Sequence, residues 1–398
     1  MKRSVLFIMF VLIAVGVSGS HAPVNNSGLN FAFTSSAKIL PPGGDDITKE
    51  FTVKKGQLLR IDSEAGGGIR IQGWDKDVVK IDVSLSGRDA EDIEVEFEET
   101  SDGVAVYCDY DGHKRNRSAK IKFDIMVPNE FDLDLETAGG SLDIDGVKGE
   151  LIGETMGGSL ELRNLEGVLK MNTMGGSIEL EDSNVDGKVK TMGGSVSFRN
   201  VTGDVDAETM GGSIKQKNVK GNKGSDGKPL RLSTMGGSID VDDVPNGAYL
   251  KTMGGSVEVN SSGDYLEVET MGGSIEIGAV DGGIDAKTMG GDVYVTMVGD
   301  PSKKDRDVTL TSMGGDVELT VPAGLDMTID IEIEYTRKYE DRVDIISDFD
   351  LNVERTDDWK YNHGNKHKTL VGTGEIGSGK NRIKIRTVNG VVKLKKGY

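Results

Sequence analysis

The chain has 398 residues, 66 acidic and 47 basic, with a formal net charge of −19. That balance repels phosphate backbones and anionic lipid surfaces, so nucleic-acid binding and direct membrane binding are set aside. Only 5% of residues are aromatic and 56 are Gly, which argues against a broad globular core and for a narrow one filled by Val, Ile, Leu and Ala.

Lys2 and Arg3, the apolar run from Val5 to Val17, and Ser20-His21-Ala22 read as a signal peptide over residues 1–22. The run is shorter than the roughly 18 residues that span a bilayer. No transmembrane segment is therefore expected after signal cleavage, and the mature chain is expected in the periplasm, at the cell surface or outside the cell. Residues 23–47, rich in Asn, Ser, Gly and Pro, read as a linker.

Residues 48–136 read as an amino-terminal β region that caps a solenoid. Ile69-Arg70-Ile71, Val78 to Val83, Ile93 to Phe97 and Ile121 to Val127 alternate with the strand period. Cys108 is the only cysteine, so no intramolecular disulfide forms. It alternates with Val104 and Val106, the pattern of a buried core thiol.

Residues 137–321 repeat. A Thr-Met-Gly-Gly-Ser-apolar motif begins at Thr137, Thr155, Thr173, Thr191, Thr209, Thr234, Thr252, Thr270, Thr288 and Ser312, and seven of the nine intervals are 18 residues. The other two, of 25 and 24 residues, hold polar insertions around Asn222 to Pro229 and Gly299 to Asp305. A fixed period broken only by polar insertions marks a solenoid whose extra residues loop out of one wall.

Counting from the motif Thr, apolar residues fall four and two positions before it, then five, seven and usually ten after it; Leu266, Val268, Ile275, Ile277 and Val280 surround Thr270. The spacing of two predicts a short strand on each side of the motif, plus a shorter corner element. The chain then turns at Gly157 and Gly158, Gly175 and Gly176, Gly193 and Gly194, Gly211 and Gly212, Gly236 and Gly237, Gly254 and Gly255, Gly272 and Gly273, Gly290 and Gly291, and Gly314 and Gly315. These bends are expected to use positive φ and close backbone approach. The Thr and Ser hydroxyls are expected to satisfy bend carbonyls or one another. The Met side chains are expected to form an apolar column along one edge rather than a ligand-binding array. Lys188 and Lys190 lie 18 residues before Asp206 and Glu208, so stacking sets opposite charges above each other, whereas Glu258 and Glu276 stack like charges.

Residues 322–398 read as carboxy-terminal β coils and cap, with strand-like Leu325 to Tyr335 and Asn381 to Leu394. Three places, in order around the repeats, carry a resemblance: Gly68-Ile-Arg-Ile-Gln-Gly-Trp-Asp-Lys-Asp-Val-Val, Val127-Pro-Asn-Glu-Phe-Asp-Leu-Asp-Leu-Glu-Thr, and Asn381-Arg-Ile-Lys-Ile-Arg-Thr-Val-Asn-Gly-Val-Val. Together they resemble the putative adhesin family of exported prokaryotic β-solenoid proteins, related to head-GIN-type domains, over about Thr48 to Lys396. The resemblance implies a right-handed solenoid and supplies no catalytic residues. The expected fold is thus all-β: a single-stranded parallel β-solenoid with 18-residue coils and irregular β caps at both ends.

No catalytic, cofactor-binding or metal-binding residue is predicted. Past the signal the histidines are His113, His363 and His367, and the last two lie in a Gly-, Asn- and Lys-rich stretch that reads as an exposed loop rather than a metal site. The motif lacks the third Gly, and usually the Asp, of calcium-binding nonapeptide solenoids. Asp143, Asp145, Asp292 and Asp316 leave room only for weak calcium binding. The expected function is that of an exported, non-enzymatic adhesin-like or structural envelope protein, binding an unidentified protein or glycan through its walls or loops. The alternatives are a carbohydrate-active solenoid, which needs convergent carboxylates and aromatic platforms, and an envelope-stress or regulatory accessory protein. The oligomeric state is not fixed by these patterns.

Overall fold

Each bend joins two short strands, as in Lys148–Thr155 followed by Leu160–Arg163. The structure, a computed structural model, describes residues 37–39, 46–111, 118–221, 227–362 and 365–397. The signal-peptide stretch, His113 and His363 lie outside them. Among the described residues there is no α-helix, only the single 3-10 turns Ala90–Asp92 and Arg337–Tyr339. Ala37–Ile39, inside the stretch expected to be a linker, is an edge strand paired antiparallel with Ile93–Glu99.

Strands before the bends run together in one sheet and strands after them in another. The ladders are parallel and in register with the repeat: Leu142 lies opposite Leu160, Leu160 opposite Ile178, and Thr155 opposite Thr173. The first insertion leaves the stack intact, since Ile214 lies opposite Ile239. Parallel sheets need both faces covered or solvated in pattern. Here the inward residues Leu266, Val268, Ile275 and Ile277 are buried between the two sheets, while Glu267, Glu269, Glu258 and Glu276 face out. A fully buried aliphatic side chain contributes about 1.5–3 kcal/mol, and the aliphatic shaft repeats that gain coil after coil. Gln216 is the exception: it is buried between Phe198 and Val241, and its Oε1 has no hydrogen-bond partner.

The motif residues do separable jobs. Each motif hydroxyl donates to a bend carbonyl one coil back, as Thr191 to Gly176 and Thr209 to Gly194, both at 2.7 Å. The Ser hydroxyls accept the next coil's Ser N–H, as Ser195 Oγ does from Ser213 at 3.2 Å. The glycines depart from expectation in one respect. Gly140 in the first copy has φ of 112°, but the bends from Gly157 onward avoid positive φ, so the left-handed region is not what requires Gly in them. Close approach is: a Cβ on Gly212 would overlap the Gly194 carbonyl, whereas one on Gly211 would sit 3.1 Å from the Gly193 oxygen.

Positive φ falls at the opposite corner instead, nine residues after the motif Thr: Asn164, Asp182, Asn200 and Asn218 have φ of 53, 50, 55 and 52°. Asn and Asp tolerate that region. They also stack, with Asn218 Nδ2 donating to Asn200 Oδ1 and Asn200 Nδ2 to Asp182 Oδ1, both at 2.8 Å.

At both ends the coil beside the repeats is not the one adjacent in sequence. Leu58–Ser63 pairs with Asp132–Thr137 on one side and Gly103–Tyr110 on the other, and Gly68–Trp74 is likewise flanked by Leu142–Asp145 and Ala119–Pro128. At the far end Asn381–Val388 lies between Val308–Ser312 and Met327–Thr336, and Val392–Lys396 lies between Val317–Val321 and Ile345–Ser347. Antiparallel hairpins then close the stack, including Met327–Thr336 with Asn365–Ile376. They shield the open edges that a parallel stack would otherwise present.

Candidate functional site

Among the described residues, two surface depressions that gather charge around an aromatic side chain are the strongest candidates. The first is a depression of about 380 Å³ on the wall beside the first insertion, where Lys188, Asp206, Glu208, Arg231, Tyr249 and Lys251 converge. Strand alternation and the parallel register place them: Lys188 lies opposite Asp206 and Arg231 opposite Tyr249. The expected charge stacking is present, though the tightest pair is diagonal, Lys188 Nζ to Glu208 Oε1 at 2.6 Å, with Lys190 at 3.7 Å. Asp206 and Glu208 stand two positions apart on one face, about 6.5–7 Å along the strand. Their proton affinities diverge. Burial pushes the Asp206 carboxyl above its ordinary value, whereas the hydrogen bond from Lys188 holds Glu208 below its own. The Arg231 guanidinium lies 4.7 Å from the centre of the Tyr249 ring.

The second region is in the carboxy-terminal cap, an open pocket of about 450 Å³ lined by Thr336, Arg337, Lys338, Trp359 and Lys366. The long strand Asn365–Ile376 assembles it by pairing His367 with Thr336 on one side and Lys360 on the other. Trp359 packs edge-on against the buried Tyr335 at 5.9 Å between centroids. Arg337 and Lys368 stand 5.6 and 5.2 Å from its ring centre. Among the described residues its charged lining is all basic, although Asp357 and Asp358 directly precede Trp359 on a chain whose net charge is −19. His367 therefore sits in a strand and not on a loop, and its Nδ1 is buried without a partner.

The other singled-out residues have structural employment. Asp143 is held by Arg70 at 3.0 Å and Arg163 at 2.7 Å, and Asp145 accepts from Asn164 at 2.7 Å. Asp292 and Asp316 replace the motif Ser and accept the same backbone N–H from the next rung, both at 2.8 Å. Among the described residues no group of three or more His, Cys, Asp or Glu side chains is placed to hold a metal. Cys108 is buried, and desolvation pushes its thiol up to about 12. The motif methionines do fall in one column, but they are 40–56% exposed rather than packed. Arg306 carries no signal in the sequence: it is fully buried, donates to the Val298 carbonyl at 2.7 Å and the Asp300 carbonyl at 3.0 Å, and pairs with Asp281.

No protein-family model and no curated protein matches this chain. Solved structures do. A putative cell adhesion protein from Clostridium sporogenes is 9% identical over 89% of this chain and 100% of its own, with a TM-score of 0.17. A putative adhesin from Parabacteroides distasonis is 14% identical over 64% of this chain and 98% of its own, at 0.38. A putative adhesin from Bacteroides fragilis is 12% identical over 89% and 98%, at 0.22. The chain is similar to putative adhesins. These are also the names carried by the family that the sequence motifs resemble. At such TM-scores the likeness decides neither fold nor chemistry, which rest on the ladders and side chains described above. No helix among the described residues is long and apolar enough to cross a membrane.

Proposed function

We propose that this is an exported, non-enzymatic, adhesin-like envelope protein, a right-handed solenoid that binds a glycan bearing carboxylate or sulfate groups in its carboxy-terminal pocket. The observation that carries this reading is the Trp359 pocket, whose charged lining is Arg337, Lys338 and Lys366. Arg and Lys donors suit anionic groups, and an indole offers an apolar platform for a sugar ring. Right-handedness follows the rule for crossovers between parallel strands. The cations must act at short range, because the net negative charge of the chain opposes long-range steering and the Debye length is only about 8 Å at physiological salt. The test is binding of the full chain to immobilised polyuronate and sulfated glycans beside neutral ones. Binding should favour the anionic set, weaken with salt, and fall at least tenfold in Trp359→Ala and in Lys338→Glu/Lys366→Glu. Equal binding by these variants and the parent would defeat the assignment.

The diverging carboxyls Asp206 and Glu208 favour a second reading, a carbohydrate-active wall. Paired carboxyls with separated proton affinities suit acid and base roles about a glycosidic bond. The Lys188 pair already neutralises Glu208, which is why the binding role ranks first. Release of reducing ends from a polysaccharide, abolished by Asp206→Asn, would reverse that order.

A further inference from the structure

Thr, the second Gly and Ser of the Thr-Met-Gly-Gly-Ser motif each have a structural reason to recur, and the Met side chain has none. Thr hydroxyls hold bend carbonyls, the second Gly has no room for a Cβ, and Ser hydroxyls accept the next rung's N–H. Met contributes only its backbone to the stack, as when Met174 N donates to Thr155 O at 3.1 Å. Ala138 fills the same position in the first copy, so the bend does not need the thioether. Yet Met156, Met174, Met192, Met210, Met235, Met253, Met271, Met289 and Met313 occupy nine successive rungs, each 40–56% exposed. Other outward positions have diverged freely: the residue before the motif Thr is Glu154, Asn172, Lys190, Glu208, Ser233 and Lys251 in consecutive coils. Retention of one exposed apolar residue among such divergence requires a use outside the fold.

We propose that this column binds soft monovalent d10 cations, Cu(I) or Ag(I), between the thioether sulfurs of successive rungs. A leucine would give the same apolar surface, so the property that Met alone adds is a neutral, polarisable sulfur on a flexible stem. Thioethers select soft ions such as Cu(I) over Ca and Mg. Parallel rungs are about 4.8 Å apart, close enough for the flexible thioether stems of neighbouring rungs to converge on one ion. The insertions do not interrupt the column, because Gly236 N donates to Met210 O at 3.0 Å and Met313 N to Thr288 O at 3.2 Å.

The experiment titrates the full chain, carrying Cys108→Ala to remove the one thiol, with silver nitrate in chloride-free buffer. Bound silver is counted by equilibrium dialysis, and the methyl signals of ¹³C-labelled Met are followed by NMR. The expected result is about four ions per chain, nine thioethers taken in pairs, with shifts confined to the exposed methionines. Replacing all nine by Leu should remove that binding while the melting midpoint stays near that of the parent. The smaller variant Met192→Leu/Met210→Leu/Met235→Leu should lose one to two ions, and serves if the ninefold variant fails to fold. Unchanged stoichiometry in either Leu variant, or methyl signals that ignore silver, would overturn the proposal.

Discussion

The repeat block and the carboxy-terminal end use the same coil and secure it in different ways. In the block, each bend is tied by one hydroxyl and one close glycine contact, repeated on the rungs above and below, as at Thr191, Thr209 and Gly212. At the end, Thr387 also donates to a bend carbonyl, that of Gly315 at 2.6 Å, but its coil arrives 75 residues after the one it stacks on. What anchors that junction is singular. Arg306 donates its backbone N–H to Asn381 at 2.9 Å, and its guanidinium fastens the second insertion through Val298, Asp300 and Asp281. Repetition spreads stability over many small equal terms, whereas a non-local closure concentrates it in a few residues.

The sharpest way to break this contrast is Arg306→Ala. Removing a fully buried guanidinium strands two backbone carbonyls, at about 1–3 kcal/mol each, while Asp281, 38% exposed and still 3.5 Å from Lys304, adds little. The expected outcome is a large fall in the unfolding midpoint, with hydrogen exchange accelerated in Asn381–Val388 and the second insertion before the central coils. Global unfolding without this local preference would show that the junction is no weaker than the block.

A smaller effect separates the two glycines of one bend. Gly212→Ala forces neighbouring rungs apart against the Gly194 carbonyl and is expected to cost about 1–3 kcal/mol, the usual range for overpacking. Gly211→Ala meets the Gly193 oxygen at 3.1 Å and should cost well under half of that. Comparative urea melts of the two variants decide it. Equal losses would mean that bend conformation, and not rung contact, sets the demand for glycine.

Much of the fold is legible in the sequence, and what is hidden has a common cause. The period fixes the register, because a slip of one residue would turn Val205 and Ala207 outward and Asp206 inward. The hydroxyl bonds come from Thr and Ser beside a tight bend. The Trp359 pocket is not visible there, since Thr336, Trp359 and Lys366 meet only through the antiparallel pairing about His367. Nor is Arg306: in Ser302-Lys303-Lys304-Asp305-Arg306-Asp307 it reads as one more solvated charge. The final coil reads as strand but not as a repeat, because Val388 and Asn389 disguise the motif that begins at Thr387. Local pattern reveals contacts that each coil makes with its neighbour in sequence, and conceals those made across an intervening hairpin.

The smallest effect belongs to the wall of the block, where charges are exposed and shared. Lys188 holds the Glu208 carboxyl below its ordinary value of 4.5, so the folded state favours the ionised form. A depressed folded value contributes stability above the unfolded value, and that contribution is lost as pH falls through the folded one. With Lys188 and Glu208 side chains 48% and 40% exposed, the pair contributes at most a fraction of a kcal/mol. Lys188→Met should therefore lower the melting midpoint slightly at pH 7, by an amount that shrinks in 1 M salt and is lost as the pH falls below 4.5 and through the depressed folded value. A deficit that persists in acid would mean that the lysine stem, and not its charge, packs the wall, and that the block is held there by apolar contact as it is in the shaft.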